Sequence, residues 1–200
     1  MICNIVGEFR WIRKDLTARV SVSEEGDMKT LDEIGIYELK DLLIKNWMTH
    51  DGIWFYHCLQ ELGIEQTNRL NKAAIKSLAE IEIKRAKKIH GLRKDRIDSF
   101  QELRRLIEGA FALSLSDFMG GAFSFPQEDI MRWEVKDQGC FAYAGMKRLG
   151  VVDRYECGVM YRVFCWIENA GVQFTVSPQI DRCIFHTQGK CSGEIKFFLP

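Results

Sequence analysis

The chain has 200 residues, of which 46% are hydrophobic and 28% charged, and its 28 Lys and Arg residues balance its 28 Asp and Glu residues. These values are typical of a globular protein, and they exclude a disordered tail, a collagen-like fibre and a low-complexity linker. The length suits one domain, or two small ones tightly joined, and is enough to bury a hydrophobic core. No apolar run approaches the roughly 20 residues that a membrane-spanning helix needs, so we expect no membrane partner.

The cysteine content and the first residues bear on the compartment. The chain has seven cysteines, and its first residues lack the basic and apolar regions of a secretory signal peptide. Disulfides are rare in the reducing cytoplasm, where cysteines are free, catalytic or metal-bound. We therefore expect a cytoplasmic protein. Residues 1–30 show no clear periodicity and are expected to form an N-terminal extension, with residues 31–200 forming a single ligand-binding domain.

The next part of the chain has the spacing of amphipathic helices. Apolar stripes predict helices over residues 36–64, 71–90 and from Ser99 to about residue 119, with Gly63 breaking the first. Ser99 and Glu102 fit a capping box at the start of the third helix, whose stripe runs from Leu103 to Phe111. The helical half is therefore expected to span residues 36–119.

After Pro126 the pattern changes to short elements. Residues 130–137 alternate like a half-buried strand, helices are expected over residues 140–149 and from Asp153 to residue 169, and strands over 172–177, 182–187 and 194–199. This order (strand-helix-helix-strand-strand-strand) predicts a Cys-rich antiparallel sheet lobe over residues 128–199. The fold class is therefore α+β, with an N-terminal helical half packed with the C-terminal sheet lobe.

Polar side chains interrupt the apolar stripes of the helices. Glu82 falls at the centre of the second stripe, and the first stripe carries a mixed polar and aromatic set: Asn46, Trp47, His50, Trp54, His57 and Glu61. Buried polar groups are costly unless they are paired. Two interpretations follow: the groups pair with each other in a core, or they line a ligand pocket. For any single residue, pairing in the core is the favoured interpretation. The occurrence of polar residues in the apolar stripes of several helices favours a pocket instead.

Such a pocket would carry out proton transfer. His57 is the best candidate acid or base, with His50 beside it, and a desolvated Glu82 could act as its partner. We expect Glu82→Gln to change binding or activity more than stability. Cys140 follows a glycine and is expected to begin a helix, where the helix N-terminus would lower the pKa of the thiol and create a nucleophile. The alternative for Cys140 is packing in the core.

Three further cysteines form the strongest constellation. Cys183 and Cys191 are expected to lie side by side across a hairpin that turns near residues 187–189, and Cys157 lies in the first turn of a helix. Three thiolates and one more ligand make a tetrahedral zinc site, and thiolates also suit iron. The candidates for the fourth ligand are Asp181, His186, Cys140 and a water or substrate molecule.

The stretch from Asp181 to Phe197, with its Cys, Gly-containing turn, second Cys and apolar strand, resembles the end of 4-vinyl-reductase-like domains. That superfamily includes sensor domains of aromatic-responsive transcription activators. Over residues 36–199, the Trp-rich first helix and Cys-rich second half also resemble the L-2-amino-thiazoline-4-carboxylate hydrolase-like family. The resemblance implies a ligand-binding α+β fold whose cysteines hold zinc. Its zinc ligands map onto Cys157, Cys183 and Cys191, with Asp181 as the nearest acidic fourth ligand.

Together these features predict a small-molecule-binding, sensor-like domain with a structural zinc site, for an aromatic or cyclic ligand. The alternative is a hydrolase acting on the C–N bonds of a small cyclic substrate, and a third reading is a structural or interaction protein. A binding module would pass on its signal through a partner or as a homodimer. Residues 69–96 hold ten Lys and Arg against three acidic residues, but no aromatic side chain is interleaved, which argues against a nucleic-acid partner.

Overall fold

A computed structural model describes residues 30–92, 97–135 and 139–199 of the chain. The expected N-terminal extension, apart from Thr30, lies outside these residues, as do the basic residues at 93–96. The chain divides into two compact units, residues 1–51 and 52–200. No helix in the described ranges is long and apolar enough to cross a membrane.

The described part of the first unit is helical. A 3-10 helix, Leu31–Glu33, is capped at its start by Thr30. The Thr30 backbone N–H and hydroxyl donate hydrogen bonds to the Glu33 carboxylate at 2.7 and 3.0 Å. Helix α1, Ile36–Ile89, begins in this unit and continues into the second. The expected apolar stripe is only partly buried here: Leu39 and Trp47 are half-buried, but Leu42 and Leu43 are 45% and 57% exposed.

A glycine interrupts α1. Gly63 has φ 73° and ψ 172°, a backbone region that is essentially restricted to glycine. The Thr67 hydroxyl donates to the Gly63 carbonyl at 2.8 Å and supports the chain at the break. The predicted break at Gly63 is confirmed. The helix resumes directly after it, so the predicted start of a second helix at residue 71 is wrong.

Helix α2, Phe100–Ser114, begins as the sequence predicts. The Ser99 hydroxyl accepts a hydrogen bond from the Glu102 backbone N–H at 3.2 Å. The Glu102 carboxylate reaches the backbone N–H of Asp98 instead of that of Ser99. The predicted stripe is buried from Leu103 to Phe111, and the helix ends at residue 114 rather than near 119. A short 3-10 helix, Asp117–Met119, follows.

The remaining elements form a sheet with helices. In chain order they are β1 (Gly121–Gln127), β2 (Ile130–Val135), α3 (Phe141–Arg148), α4 (Gly158–Asn169), β3 (Gln173–Ser177), α5 (Ile184–Gln188) and β4 (Cys191–Phe198). The strand order is β1-β2-β4-β3, and each neighbouring pair is antiparallel. Met131 and Trp133 of β2 and Ile195 and Phe197 of β4 are buried in the core. The predicted α+β class with an antiparallel sheet is confirmed.

Three details of the predicted element order are wrong. Strand β1 was not expected, because only Phe123 and Phe125 alternate with exposed residues and a proline follows them directly. Residues 182–187, expected to be a strand, lie mostly in α5, because Cys183 begins a helical turn that Gly189 closes in the left-handed conformation at φ 73°. A short apolar run alone does not distinguish these two structures. Helix α4 begins after Cys157 rather than at Asp153.

Two glycines of α1 provide a test of the break. We expect Gly63→Ala to lower the free energy of unfolding by about 1–3 kcal/mol, because alanine is strained at this φ and ψ. Gly52→Ala is the matched control: the backbone there is helical, and a Cβ would meet nothing within 4 Å. That change should stabilise the protein by about 0.5–1 kcal/mol. Denaturant unfolding measures both, and equal effects of the two substitutions would contradict the account of Gly63.

Candidate functional site: a cluster of four cysteines

Three helices of the sheet lobe each begin at a cysteine. Cys140, Cys157 and Cys183 are the N-cap residues of α3, α4 and α5, respectively. Their φ angles are −70°, −61° and −64°, and their ψ angles are 109°, 103° and 104°. Ser, Thr, Asp and Asn are the residues normally preferred at this position. Cysteine therefore takes the place of the usual cap residue at three helix starts that share nearly the same backbone conformation.

A fourth cysteine joins these three. Cys191 is the first residue of β4 and is 8% exposed, and Cys183 is 7% exposed. Cys140 and Cys157 are partly buried and pack against the hydrophobic core. Because α5 separates Cys183 from Cys191, the predicted hairpin between them is wrong, although the two cysteines still come together.

The ionisation of Cys140, Cys157 and Cys191 responds to the other cysteines of this set. Burial raises the pKa of Cys157 to about 12, with smaller contributions from Cys140, Cys191 and Cys183. Burial likewise raises the pKa of Cys191 to about 11, with contributions from Cys140 and Cys183. The pKa of Cys140 is raised chiefly by burial and also by Cys183. All six pairs among the four cysteines interact in this way. The four cysteines therefore lie close enough to act on one another, and we call them the cysteine cluster.

Hydrogen-bond donors face several of these sulfurs. Cys140 Sγ accepts from the Tyr143 backbone N–H at 3.5 Å. The Met160 backbone N–H favours the thiolate of Cys157, and the Trp133 side chain favours that of Cys191. Each effect lowers the pKa of the thiol, but burial raises it by more. The expected low pKa of Cys140 is therefore wrong, because burial outweighs the helix N–H groups that favour the thiolate.

The loop that leads into Cys157 is held by α1. Asn68 is buried, and its Nδ2 donates to the Arg154 carbonyl at 2.9 Å while its Oδ1 accepts from the Glu156 backbone N–H at 3.3 Å. The hydroxyl of buried Tyr155 accepts from the Gly158 backbone N–H at 3.0 Å. These contacts fix the start of α4. Sequence reasoning missed Asn68, because no local pattern connects it to a loop some 86 residues away.

The other predicted ligands lie outside this cluster. Asp181 and His186 are exposed. Cys183 begins a helix, so no strand places Asp181 on the same face as Cys183. As the side chains stand, no group of three or more His, Cys, Asp or Glu among the described residues has the geometry to hold a metal ion.

The predicted pocket residues of α1 are mostly exposed. Trp54 is 66% exposed, and His57 and Glu61 are also exposed. The His57 ring contacts its neighbour Tyr56, with ring centroids 5.3 Å apart. In the first unit, Asn46 and His50 are exposed as well, and the His50 side chain is 79% exposed. Trp47 is partly buried. Catalytic roles for His50 and His57 stay predictions.

Glu82 lies in a paired polar cluster. Its carboxylate accepts two hydrogen bonds from the Arg162 guanidinium, with the Nε contact at 2.9 Å, and one from Trp166 Nε1 at 2.8 Å. The Glu82 and Arg162 side chains are each only 17% exposed. This arrangement agrees with pairing in the core rather than with a free catalytic carboxylate. It joins α1 to α4.

We therefore expect Glu82→Ala to lower the free energy of unfolding by about 3 kcal/mol, because the largely buried Arg162 charge loses its Glu82 carboxylate partner. Glu82→Gln should cost less, since the amide oxygen can still accept from Trp166. Glu80→Ala is the control, because Glu80 and its partner Lys84 are 56% and 72% exposed and their ion pair should contribute little. Denaturant unfolding of the variants decides the point, and equal stabilities would contradict a structural role for Glu82.

Comparison with known proteins adds one match. Residues 27–109 match a family of unknown function, DUF6125. The match covers less than half of the chain, and it ends before the first of the four clustered cysteines. No curated protein and no solved structure matches the chain. The resemblances to 4-vinyl-reductase-like and thiazoline hydrolase-like proteins therefore stay predictions.

Proposed function

We propose that the C-terminal lobe binds one structural zinc ion through Cys140, Cys157, Cys183 and Cys191. The observation that carries this proposal is that Cys140, Cys157 and Cys183, each at the start of a helix, act on one another and on Cys191, the first residue of β4. Four thiolates in tetrahedral arrangement are a standard structural zinc site. Binding would turn the four sulfurs toward one centre at about 2.3 Å.

The positions of the cysteines favour this interpretation over packing alone. A buried free cysteine behaves as a small hydrophobic side chain, and many other residues can fill that role. Packing gives no reason for sulfur at three helix N-caps. A shared metal ion does, because an N-cap side chain is held by the first backbone N–H groups of the helix, as Cys140 is by Tyr143. The same N–H groups stabilise the thiolate that a metal ion requires.

Cys140 is the fourth ligand in this proposal. It interacts with all three other cysteines, whereas Asp181 and His186 are exposed. The proposal thereby assigns Cys140 to the metal ion and not to nucleophilic chemistry. Four thiolates leave no open position for water or substrate, so the ion would be structural. It would connect α3, α4, α5 and β4, which are separate in sequence.

The zinc site is one part of the wider prediction of a small-molecule-binding, sensor-like domain. Binding of an aromatic or cyclic ligand, and the alternative of C–N bond hydrolysis, come from the family resemblance. The exposed positions of His50 and His57 add no support to the hydrolase alternative. The arrangement of the four cysteines therefore supports the metal-stabilised lobe within this wider prediction.

Elemental analysis of the untagged protein, purified without added metal, tests this proposal. We expect about one zinc ion per chain, and we expect serine at any one of the four positions to remove it and to lower Tm by roughly 10 °C. Cys165→Ser is the control: this thiol is also buried, but Tyr161, Glu168 and Lys76 are the side chains that act on its pKa.

Three outcomes would count against the proposal. A protein that holds no metal after purification and takes up none when reduced and supplied with zinc overturns it. Equal metal loss in Cys165→Ser would overturn the assignment of the ligands. One iron per chain in place of zinc would overturn the choice of metal, because the same thiolates suit iron.

A further inference from the structure

We propose that the indole N–H of Trp133 donates a hydrogen bond to the Cys191 thiolate in the metal-loaded protein and thereby slows release of the metal ion. This inference rests on the metal site proposed above. It concerns a positioning residue, because Trp133 would act on the ion through Cys191.

The strand register places the two side chains together. Trp133 of β2 pairs with Gly193 of β4, and Val135 pairs with Cys191. Because side chains two residues apart point to the same face of a strand, Trp133 and Cys191 are diagonal neighbours on one face of the sheet. That face is the buried one, since Met131 and Ile195 on it are fully buried. An aromatic side chain reaches a diagonal neighbour at this spacing.

Gly193 provides the space for the indole. A Cβ at position 193 would lie 2.3 Å from Trp133 Cη2 and 2.5 Å from Cζ2. The six-membered ring therefore occupies the volume that any other residue would fill at this position. The Trp133 side chain thus lies across β4, on the same face as Cys191. No sequence pattern reveals this, because it depends on the pairing of 133 with 193.

The indole N–H of Trp133 is an unsatisfied hydrogen-bond donor. Trp133 is 5% exposed, and within the described ranges its Nε1 is the buried side-chain nitrogen or oxygen that lacks a hydrogen-bond partner. An unpaired buried donor is costly and calls for an explanation. Cys191, the diagonal neighbour of Trp133 on the same buried face, supplies an acceptor once its thiol is ionised by a metal ion. A neutral thiol is a weak acceptor, whereas a thiolate accepts a charge-assisted bond.

Metal loading would therefore give Trp133 the partner that it lacks. A zinc ion with four thiolates carries two net negative charges, and N–H groups directed at the sulfurs offset them. Hydrogen bonds to metal ligands typically change metal affinity 10- to 100-fold. Since the donors to Cys140 and Cys157 are backbone groups, Trp133 is the donor that a substitution can remove.

The test compares the zinc-loaded wild type with Trp133→Phe. We expect the variant to hold one zinc ion per chain but to transfer it to a chromogenic chelator about 10-fold faster. Trp166→Phe is the control, because its Nε1 donates to Glu82 at 2.8 Å and it should lose stability without faster zinc release. Replacing zinc by ¹¹³Cd gives a second readout: the Trp133 indole proton should shift on metal binding and show coupling to the cadmium nucleus.

The outcomes separate the inference from the proposed function. A Trp133→Phe protein that holds one zinc ion and releases it at the wild-type rate overturns the inference and leaves the metal site standing. A wild type that binds no metal overturns both. If Trp133→Phe does not fold, the cadmium spectrum of the wild type decides, and an indole proton that neither shifts nor couples overturns the inference.

Discussion

The mutual interaction of four cysteines joins elements of the C-terminal lobe that are separate in sequence. Cys140, Cys157 and Cys183 are the N-cap residues of three helices, and Cys191 is the first residue of β4. Each of these elements is short, from 5 to 12 residues, and would be marginal on its own. A metal ion shared by the four sulfurs would give these elements a common anchor.

Helix α4 connects this cluster to the long helix α1. Asn68 holds the loop before Cys157, and Glu82 pairs with Arg162 one turn further along α4. These two contacts lie on the second half of α1, where a break at Gly63 redirects the chain. Glu82, which interrupts the apolar stripe near the C-terminal end of α1, is thus explained by packing. Those nearer its N-terminal end, His50 and His57, are exposed and have no such explanation.

The sequence was sufficient for features that depend on local periodicity or capping. The Ser99 cap, the buried stripe of α2, the alternation of β2 and the break at Gly63 are all of this kind. The strand predicted over residues 182–187 was wrong, because a short apolar run fits a strand or a helix and the positive φ of Gly189 decides it. Three cysteines of the cluster were singled out as ligands from their spacing. The contacts of Trp133 and Asn68 depend on strand register and on long-range packing, which local patterns do not contain.

The number of sulfur atoms bound to the metal tests the central claim most directly. X-ray absorption at the zinc edge of the purified protein measures this number without any substitution. The account predicts a single shell of four sulfur atoms at about 2.3 Å. A shell of three sulfurs and one oxygen or nitrogen at about 2.0–2.2 Å would remove Cys140 from the site and return Asp181 or His186 to it. A shell without sulfur would contradict the account altogether.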